Sequence, residues 1–170
     1  MKSFVALLRA VNVGGTGKIA MSDLKAICEA IGCRGVRTYI ASGNVVFKSS
    51  RNEKQIKAAI EERLHAHFGK PVAVIVRTAD EMAKVAAAIP FPDTPGNRVV
   101  AIFLDMPVPP DTLKTVTGCS PREEVRLGQR EIFVRYDEGM AHSKLRIPIA
   151  KEGTARNMNT VAKLAAMAQE

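Results

Sequence analysis

The segment Val11 to Lys18, reading Val-Asn-Val-Gly-Gly-Thr-Gly-Lys after the apolar run Phe4 to Leu8, nearly spells a nucleotide-binding loop. A P-loop needs Gly-x-x-x-x-Gly-Lys-Ser/Thr, because backbone amides cradle the phosphates, the Lys reaches the terminal ones and the hydroxyl holds Mg²⁺. Aligned on Gly17-Lys18, the chain has Asn12 in place of the first Gly and Ile19 in place of the hydroxyl. Both changes remove chemistry that the motif requires. Gly14, Gly15 and Gly17 also miss the Gly-x-Gly-x-x-Gly spacing of a dinucleotide site.

What remains is a set of three polar clusters at the ends of expected elements, where a rigid scaffold can present side chains to solvent. In the first, Arg9 offers a permanent forked charge to a phosphate or carboxylate, beside Asn12 and the small residues Gly14 and Gly15. The second joins Arg37 to Ser42 and Asn44 at a hairpin end, where Asn also commonly satisfies turn backbone. The third runs from Thr154 through Arg156, Asn157 and Asn159 at the expected start of the closing helix. A helix N-terminus attracts anions, although capping by Thr154 or Asn157 also explains two of these residues.

Other chemistries are poorly served. His65 and His67 stand two apart on an expected helix and project from different faces, so no metal site is expected. His142 precedes Ser143-Lys144 in a loop without a Ser-His-Asp pattern. Cys28, Cys33 and Cys119 form no Cys-x-x-Cys, and Cys28 falls on an apolar helical stripe as a small core residue.

The elements that must hold these groups follow from periodicity. Phe4 to Ala10 predicts a buried strand, and Met21, Leu24, Ile27, Cys28 and Ile31 recur at helical spacing, with Ser22 or Asp23 near the start and Gly32 as the stop. Val36 to Ala41 and Asn44 to Lys48 read as a hairpin around Ser42-Gly43. A helix from about Asn52 to Phe68 and a strand Val72 to Arg77 complete a β-α-β-β-α-β order. A linking helix, Ala79 to Ile89, ends at a Pro-rich run. Beyond it come a strand Arg98 to Leu104, a short helix Asp111 to Thr117, a hairpin of Glu124 to Leu127 with Ile132 to Tyr136, and a closing helix Asn157 to Gln169. Arg146 to Ile149 is the available final strand. The expectation is an α+β protein of two ferredoxin-like (βαββαβ) halves, antiparallel sheets with helices on one face, divided as 1–78, a linker 79–97, and 98–170.

Composition restricts the partners. With 170 residues, 46% hydrophobic and 25% charged, the chain has the balance of a soluble globular protein. Its apolar runs are too short to span a bilayer, and Arg9 interrupts the first one before it can form a signal-peptide core, so a cytoplasmic protein is expected. The net charge of +8 is concentrated in the first fifty residues, which hold seven basic side chains against two acids. Such an excess suits polyanions or a phosphorylated ligand, and equally serves solubility.

Three stretches taken together, Leu7 to Gly15, Val36 to Phe47 and Thr154 to Val161, resemble the bacterial "domain of unknown function 1697" family, and Ser143-Lys144-Leu145 matches a further short motif of it. The resemblance extends over essentially the whole chain and implies a cytoplasmic α+β protein of two ferredoxin-like halves. It carries no activity to transfer. The family usually has Trp at the position of Met158, a change that favours core packing there over stacking on a ligand.

The functional expectation is anion binding, with nucleic acid or a phosphorylated small molecule as ligand and Arg9, Arg37 and Arg156 as its grip. An enzyme acting in a cleft on a small phosphorylated or carboxylated substrate, with Lys144 as acid or base, is one alternative. An interaction module in which Asn157 and Asn159 bond to backbone is another. No cofactor and no membrane partner are expected, and the oligomeric state is open. Scarce aromatics speak against base stacking, since Tyr39 is the ring in the first hairpin that alternation sets beside an arginine.

Overall fold

The computed structural model describes residues 1–12 and 17–170. The expected elements at Gly14 and Gly15 therefore lie outside the described residues. The chain divides into one unit of Met1–Lys84 with Leu164–Glu170 and another of Val85–Lys163.

In the first unit, β1 (Lys2–Leu8), β2 (Arg34–Thr38), β3 (Asn44–Ser49) and β4 (Val74–Thr78) form an antiparallel sheet in the order β2-β3-β1-β4. Strand alternation sends Phe4, Ala6, Leu8, Val45, Phe47, Val74 and Val76 to one face. There they meet Leu24 and Cys28 of α1 (Met21–Ala30) and Ile56, Ile60 and Leu64 of α2 (Glu53–Phe68). Burying each of those three aliphatic side chains on α2 contributes about 2 kcal/mol. An Asn52–Gln55 capping box starts α2, and Gly69 ends it in the left-handed conformation that its φ of 72° requires. Lys57 donates to Val74 O (2.8 Å) and Glu61 accepts from Val74 N (2.9 Å), which fastens α2 to the beginning of β4.

Two local expectations change. No side chain caps α1, whose N-cap is Ala20. The hairpin loop is five residues, Tyr39 to Gly43, rather than the pair Ser42-Gly43. Ile40 takes a φ of 50° and stops β2 at Thr38, which extended-strand periodicity cannot anticipate.

In the second unit, β5 (Val99–Phe103), β6 (Glu124–Leu127), β7 (Glu131–Arg135) and β8 (Thr154–Asn157) pair antiparallel in the order β6-β7-β5-β8. This is the order of the first sheet, strand for strand. The expected α+β class with two similar four-stranded halves is therefore what the chain adopts. Local pieces differ. Asp111 to Thr117 holds only a 3-10 turn, Thr112–Thr115, with Thr112 and Thr115 hydroxyls donating back to the carbonyls of Pro109 and Thr112. The fourth strand is Thr154–Asn157 and not Arg146 to Ile149, where Arg146 makes an isolated bridge to Thr117 and Pro148 opens a 3-10 turn. Leu145, Ile147, Ile149 and Ala150 from this irregular stretch pack on Val100, Ile102, Ile132 and Val134.

Helices α3 (Ala79–Ala88) and α4 (Met158–Ala168) follow β4 and β8 respectively. Thr78 and Glu81 cap α3 reciprocally, Glu81 Oε1 accepting from Thr78 N at 2.9 Å and Thr78 Oγ1 accepting from Glu81 N at 3.2 Å. Among the described residues no helix is long and apolar enough to cross a membrane.

Candidate functional site

At the end of the first sheet, the segment after β1 is stitched to the hairpin loop. Leu8 N donates to Gly43 O (2.9 Å) and Arg9 N to Ala73 O (3.0 Å). Asn12 then does the work of a clamp. Its Oδ1 accepts from Ile19 N (2.8 Å), while Nδ2 donates to Ile19 O (3.0 Å) and to Ala41 O (2.8 Å). The two residues that spoil the P-loop pattern are thus each other's partners. A backbone bond from Asn12 N to Gly17 O (2.9 Å) closes the same loop.

Asn44 is fully buried and its Nδ2 donates to Tyr39 O and Ser42 Oγ, both at 2.9 Å. Ala10, Asn12 and Ile40 all have left-handed backbone, with φ of 51°, 56° and 50°. Such conformations cost on the order of 1 kcal/mol or more for residues other than Gly, and they gather here at two adjoining loops. Within this frame Arg9 is half-buried, and among the described residues its guanidinium has no hydrogen bond or ion pair.

The matching place in the second unit is built differently. Leu104 N donates to Arg130 O (2.9 Å) as Leu8 N does to Gly43 O, so Asp105 corresponds to Arg9 and Arg130 to Gly43. Arg130 bonds the Asp105 carbonyl at 3.1 Å and lies 4.0 Å from its carboxylate. The second unit neutralises this corner from within. In the first, Gly43 leaves Arg9 without an acid.

The remaining expected site residues have other duties. Arg37 pairs with Glu170 and donates to Met167 O (2.6 Å), closing the end of α4. Arg156 lies in β8 and not at a helix start; it is 8% exposed and bonds Thr154 Oγ1 (2.6 Å) and Ala155 O (2.9 Å). Burial pushes its guanidinium down to about 10, which still leaves it charged at neutral pH. Asn157 caps α4, its Oδ1 accepting from Thr160 N at 2.9 Å. The dipole end expected to receive an anion therefore starts at Met158, with Asn157 already bound to it. Asn159 is exposed and sits against Gly96, and Lys144 lines a polar pocket with Ser143. The first unit thus brings Arg9, Asn12, Ser42 and Asn44 together; Lys144, Arg156, Asn157 and Asn159 belong to the second.

Sequence reasoning missed Arg77, which is fully buried in β4. A lone arginine at the end of the apolar run Val-Ala-Val-Ile-Val was its only signal. None of the thiols is primed for nucleophilic work. Burial raises Cys28 to about 12 and Cys33 to about 11, and exposed Cys119 is also raised, by desolvation and then by Glu123 and Glu124. Among the described residues no group of three His, Cys, Asp or Glu side chains could hold a metal ion.

Residues 1–133 match the model of a family described as "Protein of unknown function (DUF1697)". The chain belongs to the DUF1697 family. A solved structure described as that of conserved bacterial protein SP0830 from Streptococcus pneumoniae is similar, with 22% identity, 98% of each chain covered and a TM-score of 0.80. That likeness supports the fold. No curated protein matches. In this DUF1697 chain the matched stretch contains the Arg9, Asn12 and Ser42–Asn44 corner, and it ends before Lys144 and Arg156.

Proposed function

We propose that this DUF1697 protein binds a small phosphorylated molecule at the Arg9 corner of its first unit. The observation that carries the reading is the contrast between Arg9, without a protein partner among the described residues, and Asp105, held by Arg130 at the equivalent place. A half-buried arginine beside a side-chain-clamped loop suits a phosphate, which its guanidinium grips in forked geometry. Lys18 adds exposed positive charge immediately before Ile19, the residue that Asn12 clamps. Two Tyr and no Trp in the chain favour a compact phosphate ligand over stacked single-stranded bases. Three free thiols suit a reducing compartment, which supports a cytoplasmic location.

The test is a thermal-shift and calorimetric titration with pyrophosphate, a nucleoside monophosphate, a sugar phosphate and a short single-stranded RNA, because a ligand of the folded state stabilises it by mass action. At least one small phosphate should raise the melting temperature. A charge-assisted hydrogen bond is worth about 1.5–3 kcal/mol, so Arg9→Ala should weaken that ligand roughly tenfold to a hundredfold. Binding only by RNA, with steep salt dependence, would replace the small ligand by nucleic acid. Full affinity in folded Arg9→Ala would sink the assignment.

A further inference from the structure

The Ser143-Lys144 motif borders a pocket of about 210 Å³ in the second unit that the Arg9 site does not use. Its walls are built by side chains. Glu123 accepts from Ser120 N (3.1 Å) through Oε1 and from the Ser143 hydroxyl (2.5 Å) through Oε2. Ser143 Oγ in turn accepts from Leu145 N (3.1 Å). The Thr117–Arg146 bridge ties the two flanking segments together, with N–H···O distances of 3.0 and 2.7 Å. Gly118, at a φ of +71°, comes so near the Lys144 carbonyl that a Cβ has no room there. Glu123 and Ser143 are therefore occupied in shaping the pocket.

Three lining groups are left over. The Ser120 Oγ is buried and has no hydrogen-bond partner. Leaving such a group unpaired costs on the order of 1–3 kcal/mol, and with no surface open to water it stands behind the pocket wall, out of a ligand's direct reach. Glu138 and Lys144 line the same pocket with opposite charges, and neither forms an ion pair with the other or with any described residue. Asp137 beside Glu138 makes only a loose 3.8 Å pair with exposed Arg122, and His142 stands next to Lys144.

We propose that this pocket binds a small zwitterion, a free α-amino acid by chemical class, with its ammonium toward Asp137 and Glu138 and its carboxylate toward Lys144 and His142. The two ends of such a ligand complement charges that the protein holds apart. Its size fits a volume below the ~300–1,000 Å³ common for larger ligands. The assignment does not depend on the Arg9 reading.

Calorimetry on the full chain with L-serine, L-glutamate and L-lysine, and with ethanolamine and propionate as single-charge controls, decides it. At least one amino acid should bind at least tenfold more tightly than both controls. Lys144→Ala and Glu138→Gln change exposed side chains and should keep the unliganded melting temperature while each weakens that amino acid at least tenfold. Arg9→Ala should leave it unchanged. Absence of amino-acid binding, equal binding of either control, or undiminished affinity in Lys144→Ala or Glu138→Gln would overturn the proposal.

Discussion

Arg77 and Arg156 hold the same place in the two halves. In the first sheet one cross-strand row reads Arg37, Val46, Val5, Arg77; in the second it reads Arg126, Phe133, Ala101, Arg156. At the β4 and β8 ends, each arginine is buried and donates to the carbonyl of the residue before it, Val76 at 3.2 Å and Ala155 at 2.9 Å. At the other ends, Arg37 and Arg126 each combine a glutamate with a backbone carbonyl, Glu170 with Met167 O and Glu124 with Pro90 O. Arg126 also lies 4.7 Å over the Phe91 ring. The halves share a polar layout across their sheets even though their sequences differ, and the corner that holds Arg9 in one and Asp105 in the other is where they part.

This layout predicts unequal costs for two similar substitutions. Arg77→Ala leaves a cavity and strands the buried groups that the guanidinium serves, a class of change that costs about 3–5 kcal/mol. Arg37→Ala removes a contact whose partners are 41% and 64% exposed, and should cost about 1 kcal/mol or less. Urea unfolding of both variants measures the difference. Equal destabilisation would mean that Arg77 is not structural in this way.

Ile40 supplies a stabilising prediction. A β-branched residue at a φ of 50° is strained, and half of its surface is exposed, so its side chain returns little burial. Ile40→Asn should raise stability by about 1 kcal/mol, visible as a higher melting temperature. A fall in melting temperature would show that Ile40 makes contacts worth more than its strain.

A glycine of the same loop should behave oppositely. Gly43 has a φ of +86°, and a Cβ there would stand 2.8 Å from both Leu8 Cβ and Val11 Cγ2. Gly43→Ala therefore combines backbone strain with a clash against buried groups and should cost more than about 2 kcal/mol. Chemical denaturation checks it, with a near-neutral result counting against the tight loop-to-loop contact.

Much of this architecture is legible in the sequence because it rests on local periodicity. The Leu24–Cys28 and Ile56–Ile60–Leu64 stripes declare α1 and α2, and the apolar run at Phe4 to Leu8 declares the central strand. β8 is not legible in that way. Four residues, Thr-Ala-Arg-Asn, gain strand geometry from pairing with β5, a partner more than fifty positions away, and their polar side chains look like a helix cap. The site residues divide on the same ground. The residue type of Asn12 suggests a ligand group, whereas its contacts to Ile19 and Ala41 depend on how two loops meet. Ser120 and Glu138 carried no motif, since loops from separate stretches bring them to one pocket.

The buried thiols make stability depend on alkaline pH in a defined direction. Cys28 and Cys33 are held near 12 and 11 in the folded chain, mainly by burial, against an ordinary value of 9.0. Above pH 9 the unfolded chain loses these protons while the folded chain keeps them, so the unfolded state binds fewer protons and gains in free energy terms. The stabilising contribution is complete below pH 9 and is lost as pH rises through the folded values, with a slope of up to about 1.4 kcal/mol per pH unit for each thiol. Denaturant midpoints should fall between pH 9 and 11, and the fall should be shallower in Cys28→Ala/Cys33→Ala. The same burial predicts that a thiol reagent at pH 8 modifies Cys119 first, with Cys28 and Cys33 reacting only on unfolding. Rapid labelling of all three in the folded chain would show that the α1 stripe opens far more readily than its packing implies.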